Sequence, residues 1–508
     1  MRKLSFSVLA LVILISLSAC GRGNNQIENV YMDIVEESPE IFEVAEPEAP
    51  EEEELTTDVE EIGTSSEEFF EPHYIWEVWT LAYVDVEGWK ADIAQFRNFV
   101  FRVHPKFADS AFNNLPRNIE MGAAFDAHID WLLENVPYLT KFEILVELQR
   151  ASSLLEDNHF LFGKAALTRR PSSITFLHQL SENRYPLEFR WFYDGFFLYR
   201  AIGSEYVIPA LNRRLVAIND ISIDDVFSEF TYFWSIENIY DAKNAFAHNL
   251  NSPGILYALG VLEGRQTMYT FSGDTGERIQ VNMSESLHIP FNADESWRTV
   301  FPEPLTDHRN AGELPLFLQN AEQVHWYTFI EAYGILYIRI NVYLIGQDQD
   351  FVPHVTALAG EKGESLRAVI IDARNNSGGH DEPYRSLFDA LAEAVPPGKL
   401  FYFMNEGSLS ASLLAGGYLY ELGATIIGQP SGQLIDFYAF YGSGVEFNIS
   451  LRNSWANTFV SNRFYTIRDN GVIADDLIFR PHILIEYTID DWINNRDPYL
   501  EYVLQLLR

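Results

Sequence analysis

The sequence predicts an α/β protein: a parallel-sheet domain closes the chain, and a helical bundle and a β-rich module precede it. Three patterns predict this. Within residues 326–508, the apolar run Arg367-Ala368-Val369-Ile370-Ile371-Asp372 leads to a helical pattern over about 383–394. A strand at Leu400–Met404, a second helix over about 410–422 and a strand at 424–427 follow. Strand and helix alternating in this way imply parallel pairing through right-handed crossovers. Residues 73–171 instead place apolar side chains at helical spacing, and 172–284 alternate apolar and polar residues between turn signals.

Each element has its own local reason. Ile93, Phe96, Val100 and Phe101 recur at helix spacing until His104-Pro105, where the proline discourages continuation. A second helix is expected over about 120–135. A third opens on Thr140-Lys141-Phe142-Glu143, a capping box, and carries Leu145, Leu148, Ala151 and Leu155 on one side before running out at Glu156-Asp157-Asn158-His159. In the next module, residues 187–191 alternate, Asp194-Gly195 supplies a hairpin turn and 197–201 return. A strand at 214–220, a helix over about 237–250 and a hairpin around Gly273 complete it. Residues 285–325 show no periodicity and read as connector.

Composition bounds the function. The chain has 508 residues, 47% hydrophobic and 21% charged, which is ordinary for globular domains. One cysteine excludes a disulfide framework and a Cys-rich metal site. A net charge of -38 argues against nucleic acid, whose phosphates demand Lys and Arg. Residues 24–72 carry 18 of the acidic residues and no Lys or Arg, so they read as a solvated, self-repelling tether. Residues 1–23 have a basic start, a short apolar run and Leu17-Ser18-Ala19-Cys20, which resembles a bacterial lipobox. That resemblance implies cleavage before Cys20, lipidation of its thiol, and a place in the cell envelope outside the cytoplasm, held to the membrane by the lipid.

Chemistry is expected where strands end and helices begin. Asn375-Asn376-Ser377-Gly378-Gly379 can aim bare backbone N–H groups outward, and Asn405-Glu406-Gly407-Ser408-Leu409-Ser410-Ala411-Ser412 puts serines at a helix N-terminus. One junction can supply a nucleophile and the other an oxyanion hole, as acyl transfer requires. The same residues also serve as helix caps and a tight turn, and the pattern alone leaves those readings open. A nucleotide site is poorly supported, since there is no G-x-G-x-x-G and no P-loop lysine.

Residues Ile371 to Gly379 resemble the Asp-Leu-Arg-x-Asn-x-Gly-Gly signature of the tail-specific (C-terminal-processing) and tricorn-type serine peptidases. Asn405 to Ser412 resembles that family's Ser-Ala-Ser-Ala-Ser segment, and Ala424-Thr425-Ile426-Ile427-Gly428-Gln429-Pro430-Ser431-Gly432 its Val-Gly-Glu-Pro-Thr-x-Gly strand. His104-Pro105 and Leu155-Glu156-Asp157-Asn158-His159 look like its helical region ending in Asp-Gly-His, and 214–220 is similar to a PDZ-like motif. The resemblance implies a ClpP/crotonase-like catalytic domain at 326–508 and a PDZ-like module at 172–284. It implies Ser410 as nucleophile, with the amides of Ala411 and of Gly378 or Gly379 as oxyanion donors. Where the tail-specific branch carries a lysine base, this chain reads Gly432-Gln433-Leu434-Ile435, which excludes a Ser–Lys dyad unless a distant lysine folds in. The tricorn-type branch uses a histidine from the helical region, so His159 is the implied base, with Asn158, Asp475 or Asp476 as its orienting group and His380 as a rival. Arg480, His482 and Leu413 depart from the family pattern. Peptide or protein substrates are implied, and no metal or organic cofactor. The alternatives are a catalytically inactive peptide-binding lipoprotein on the same scaffold and a carbohydrate-capturing lipoprotein. Core packing explains the many aromatics better than the latter does.

Overall fold

The computed structural model describes residues 75–160, 162, 176–181, 183–273, 275–284, 289–290, 305–344, 350–440, 446–467 and 476–508. Residues 1–23 and 24–72, expected to be an export signal with Cys20 and a tether, lie outside these residues, as does Asp475. No helix among the described residues is long and apolar enough to cross a membrane.

Helices α1 (Ile75–Leu81), α2 (Val86–Val103), α3 (Pro116–Asn135) and α4 (Lys141–Ser153) form the bundle. Asp85 caps α2 through the Gly88 amide, and α4 starts on the expected capping box, with Thr140 accepting from the Glu143 amide and Glu143 accepting from the Thr140 amide. Ile93, Phe96, Val100, Ile129, Leu132 and Leu148 are fully buried between the helices, as their spacing requires. The end of α4 delivers the segment from Leu154 to Phe160.

The β-rich module contains β1 (Leu187–Phe192), β2 (Gly195–Ala201), β3 (Arg214–Ile218), α5 (Ile223–Phe233), α6 (Ile239–Asn249), β4 (Gln266–Ser272) and β5 (Arg278–Ser284). Its strands run antiparallel in the order β1-β2-β3-β4-β5. Sequence reading passes over α5, which Ser222 caps and which buries Val226, Phe230 and Phe233. Bundle and module bury their apolar residues in one shared cluster.

The last part holds β6 (His325–Ile330), β7 (Ile335–Ile340), α7 (Phe351–Lys362), β8 (Ala368–Asp372), α8 (Arg385–Ala394), β9 (Leu400–Met404), α9 (Ala411–Glu421), β10 (Thr425–Gly428), β11 (Asp436–Ala439), β12 (Arg463–Thr466), β13 (Ile483–Leu484) and α10 (Pro498–Leu506). The sheet order is β13-β10-β9-β8-β7-β6; β7, β8, β9, β10 and β13 pair in parallel, and β6 is antiparallel to β7. Val369 and Ile371 face α7, α8 and α9 on one side, while Ala368 and Ile370 face α10 on the other. A strand covered on both faces is apolar throughout, which is why β8 was legible as an unbroken run. The antiparallel pair β11–β12 leaves the sheet. Just before it reaches β12 the chain returns to the bundle, where the Asn453 and Ser454 amides donate to buried Asp92.

Candidate active site

The strand β9 ends at Met404, and the next six residues turn sharply into α9. Ser410 sits at the head of that helix with φ 52° and ψ -120°, a backbone conformation that a residue with a Cβ rarely adopts. The three serines of this stretch have different fates. Ser408 is buried and donates to the Ala373 carbonyl at 2.8 Å, and Ser412 is buried against the Tyr402 hydroxyl at 2.9 Å. Ser410 is half-buried, and its hydroxyl has no hydrogen-bond partner among the described residues. The family resemblance singled out this middle serine, and it is the one whose oxygen is left uncommitted.

The loop after β8 is held from below by a buried ionic stack. Arg374 forks onto Asp372 and onto both oxygens of Asp497, at 3.0 and 2.9 Å for the latter, and Arg339 and Tyr337 also reach Asp372. Burial alone would raise the Asp372 carboxyl, but the Arg374 and Arg339 guanidiniums hold it below the usual range. Above this stack, Asn405 accepts from the Asn375 amide and donates to the Asn375 side chain, and the Leu409 amide donates to the Asn376 carbonyl. The two junctions are thereby welded together. Gly378 (φ 112°) lies so close to Ser410 that a Cβ on it would stand 2.6 Å from the Ser410 Cβ. Its own amide is turned inward to Asn376 Oδ1 at 2.9 Å. The Gly379 and Ala411 amides have no acceptor among the described residues. Of the two expected glycine donors, Gly379 has the amide that is left over.

His159 leaves the end of α4 and stacks on Phe437 of β11 at 6.0 Å between ring centroids. The link between imidazole and serine is Gln433. Its Oε1 accepts the Ser410 amide, and its Nε2 donates to Asn158 Oδ1 at 2.6 Å and lies 3.1 Å from His159 Nδ1. The Ser410 amide is a donor, so it fixes which end of the Gln433 amide is oxygen. His159 Nδ1 is therefore an acceptor, and a neutral ring carries its proton on Nε2. Ser410 and His159 do not hydrogen-bond each other; they occupy opposite ends of one glutamine side chain. Sequence reading passed over Gln433 because it scanned that position for a lysine.

A charged cluster lies behind His159. The Lys106 amide donates to His104 Nδ1, so the Nε2–H of His104 donates to Asp157 at 3.0 Å, and Asp157 also accepts the His159 amide. Burial pushes His104 down despite Asp157, which keeps the ring neutral. Burial pushes Asp157 up, but the His104 hydrogen bond and the nearby Lys106 ammonium are among the effects that outweigh it and hold the carboxyl at about 2. Lys106 is buried too, with its ammonium on the Leu155 and Glu156 carbonyls, and burial lowers its pKa. Glu237, missed by sequence reading because it looks like an ordinary acid before a helix, completes the cluster.

The remaining candidates fall elsewhere. The Asp476 carboxylate is forked by Arg480 at 2.6 and 2.5 Å, so its charge is spent there rather than on the imidazole. That pair also accounts for Arg480. His482 stacks on Tyr420 and accepts the Ile426 amide, and His380 is exposed and paired with Glu382. Leu413 is core.

No protein-family model and no curated protein matches the sequence. Solved structures do. Mature CPAF matches with a TM-score of 0.53 at 13% identity, over 83% of this chain and 96% of that one. Mature CPAF complexed with lactacystin matches with a TM-score of 0.53 at 12% identity, over 83% and 98%. The chain has the CPAF fold. At this identity the likeness establishes a common architecture over nearly the whole of CPAF.

Proposed function

We propose that this chain is an exported, lipid-anchored serine peptidase of the tail-specific/tricorn-like kind. The observation that carries the reading is the isolation of Ser410: a strained serine with an uncommitted hydroxyl, set where two junctions meet whose Ala411 and Gly379 amides have no acceptor among the described residues, with an imidazole one side chain away. Ser410 attacks a peptide carbonyl, His159 takes the hydroxyl proton, and the Gly379 and Ala411 amides hold the oxyanion. The proton returns to the leaving amine, and water releases the acyl group. For the transfer, His159 Nδ1 gives up the Gln433 amide and turns its lone pair to Ser410, a tightening expected once a substrate fills the site. Cys20 carries the lipid, and acidic residues 24–72 space the folded part from the membrane.

The purified chain should cut an unstructured polypeptide, creating new termini detectable by mass spectrometry. Ser410→Ala and His159→Ala should each abolish them. A wild-type chain that retains the polypeptide uncut supports the inactive binding scaffold instead. Labelled palmitate should enter the chain in bacteria and be lost in Cys20→Ala; uptake by that variant contradicts the anchor.

A further inference from the structure

We propose that Glu237, supplied by the β-rich module, is a positioning residue that clamps the two segments of the candidate site together. This rests on the reading of Ser410 and His159 above. Glu237 Oε1 accepts the Asn158 amide at 3.3 Å, and Oε2 accepts the Leu434 amide at 3.0 Å. Asn158 precedes His159, and Leu434 follows Gln433. The Glu237 carboxylate therefore joins the same two dipeptides that the Gln433 side chain joins directly.

The clamp has a fixed base. Asn238, the next residue, caps α6 through the Tyr240 and Asp241 amides and donates from its Nδ2 to the Ser431 and Gly432 carbonyls. Asp241 in turn accepts the Glu237 amide at 3.2 Å. The head of α6 thus grips the turn at 431–434 in three places, and one of them continues to the histidine segment.

The location is unfavourable for an acid. Burial, then Asp157 and Asp241, push the Glu237 carboxyl up, and the Leu434 amide and Lys106 oppose them. An apolar side chain would avoid that penalty but would leave two buried backbone donors without acceptors. A donor atom from each of Asp157, His159 and Glu237 lies within 4.8 Å of the others, as in a cation site. Asp157 is held by His104, both Glu237 oxygens are held by amides and Lys106 stands beside them, so the group is organised as a clamp. Glu237 acts through these segments and is not itself a catalytic residue.

Glu237→Gln keeps the size and one acceptor, but its Nε2 has no lone pair for the second amide. In the full chain, hydrogen exchange at Asn158 or Leu434 should accelerate at least tenfold. On a peptide that the wild type cuts, kcat should fall about tenfold with KM within about twofold, as expected when only geometry in the transition state is lost. Unchanged exchange at both amides overturns the clamp, and faster exchange with wild-type kcat overturns its part in positioning. If Glu237→Gln fails to fold, Glu237→Asp, one methylene too short to span both amides, takes its place in both readouts. A wild-type chain without turnover sinks the peptidase reading separately, and the exchange measurement still decides whether Glu237 holds the two segments.

Discussion

Gly378 shows how little freedom the site leaves a single residue. It has φ 112°, and any side chain would press on Ser410 and on the Ala411 amide, 3.0 Å from the added carbon. Gly378→Ala should therefore displace the serine and its amide while leaving the buried Arg374 stack intact. The reaction of Ser410 with a fluorophosphonate should slow by about a hundredfold, the scale of losing one oxyanion donor. Wild-type labelling of that variant would show that the close approach is incidental. The motif was legible here because only glycine fits, so the sequence has no alternative to offer. Gln433 was illegible for the opposite reason: a glutamine is common on surfaces, and only the fold reveals that its two ends meet a serine amide and a histidine.

Among elements, legibility followed burial. β8 and β9 are covered on both faces and read as apolar runs, and Thr140 announced α4 through its capping box. α5 is rich in Phe, Thr and Tyr, which favour strands, and its helix is decided by packing of Val226, Phe230 and Phe233 rather than by propensity. α7 begins Phe-Val-Pro, with the proline in the first turn, where a helix tolerates it. β11–β12 stayed hidden because it packs on the bundle through contacts such as Phe112 on Phe464. Such contacts leave no period in the local sequence.

At the scale of the whole molecule, the candidate site needs the end of the early bundle held in place, and the buried Asp157 carboxylate helps to hold it through His104 and the His159 amide. Asp157 binds its proton more weakly in the folded chain, at about 2, than in the unfolded chain, at about 3.9. Its contribution is therefore complete above about pH 4 and is lost as pH falls toward about 2. Glu237, pushed the other way, favours the folded state less as pH rises above about 4.3. Urea midpoints measured from about pH 5 to about pH 3 should fall more steeply for the wild type than for Asp157→Asn; parallel slopes would contradict this assignment.

The measurement that bears most directly on the central claim is the site of covalent reaction. After treatment with a fluorophosphonate, peptide mapping should place one adduct on Ser410, none on Ser408 or Ser412, and a much slower adduct when His159 is replaced by Ala. An adduct on another serine, or a Ser410 adduct that forms at the same rate without the imidazole, would contradict the pairing of these two residues.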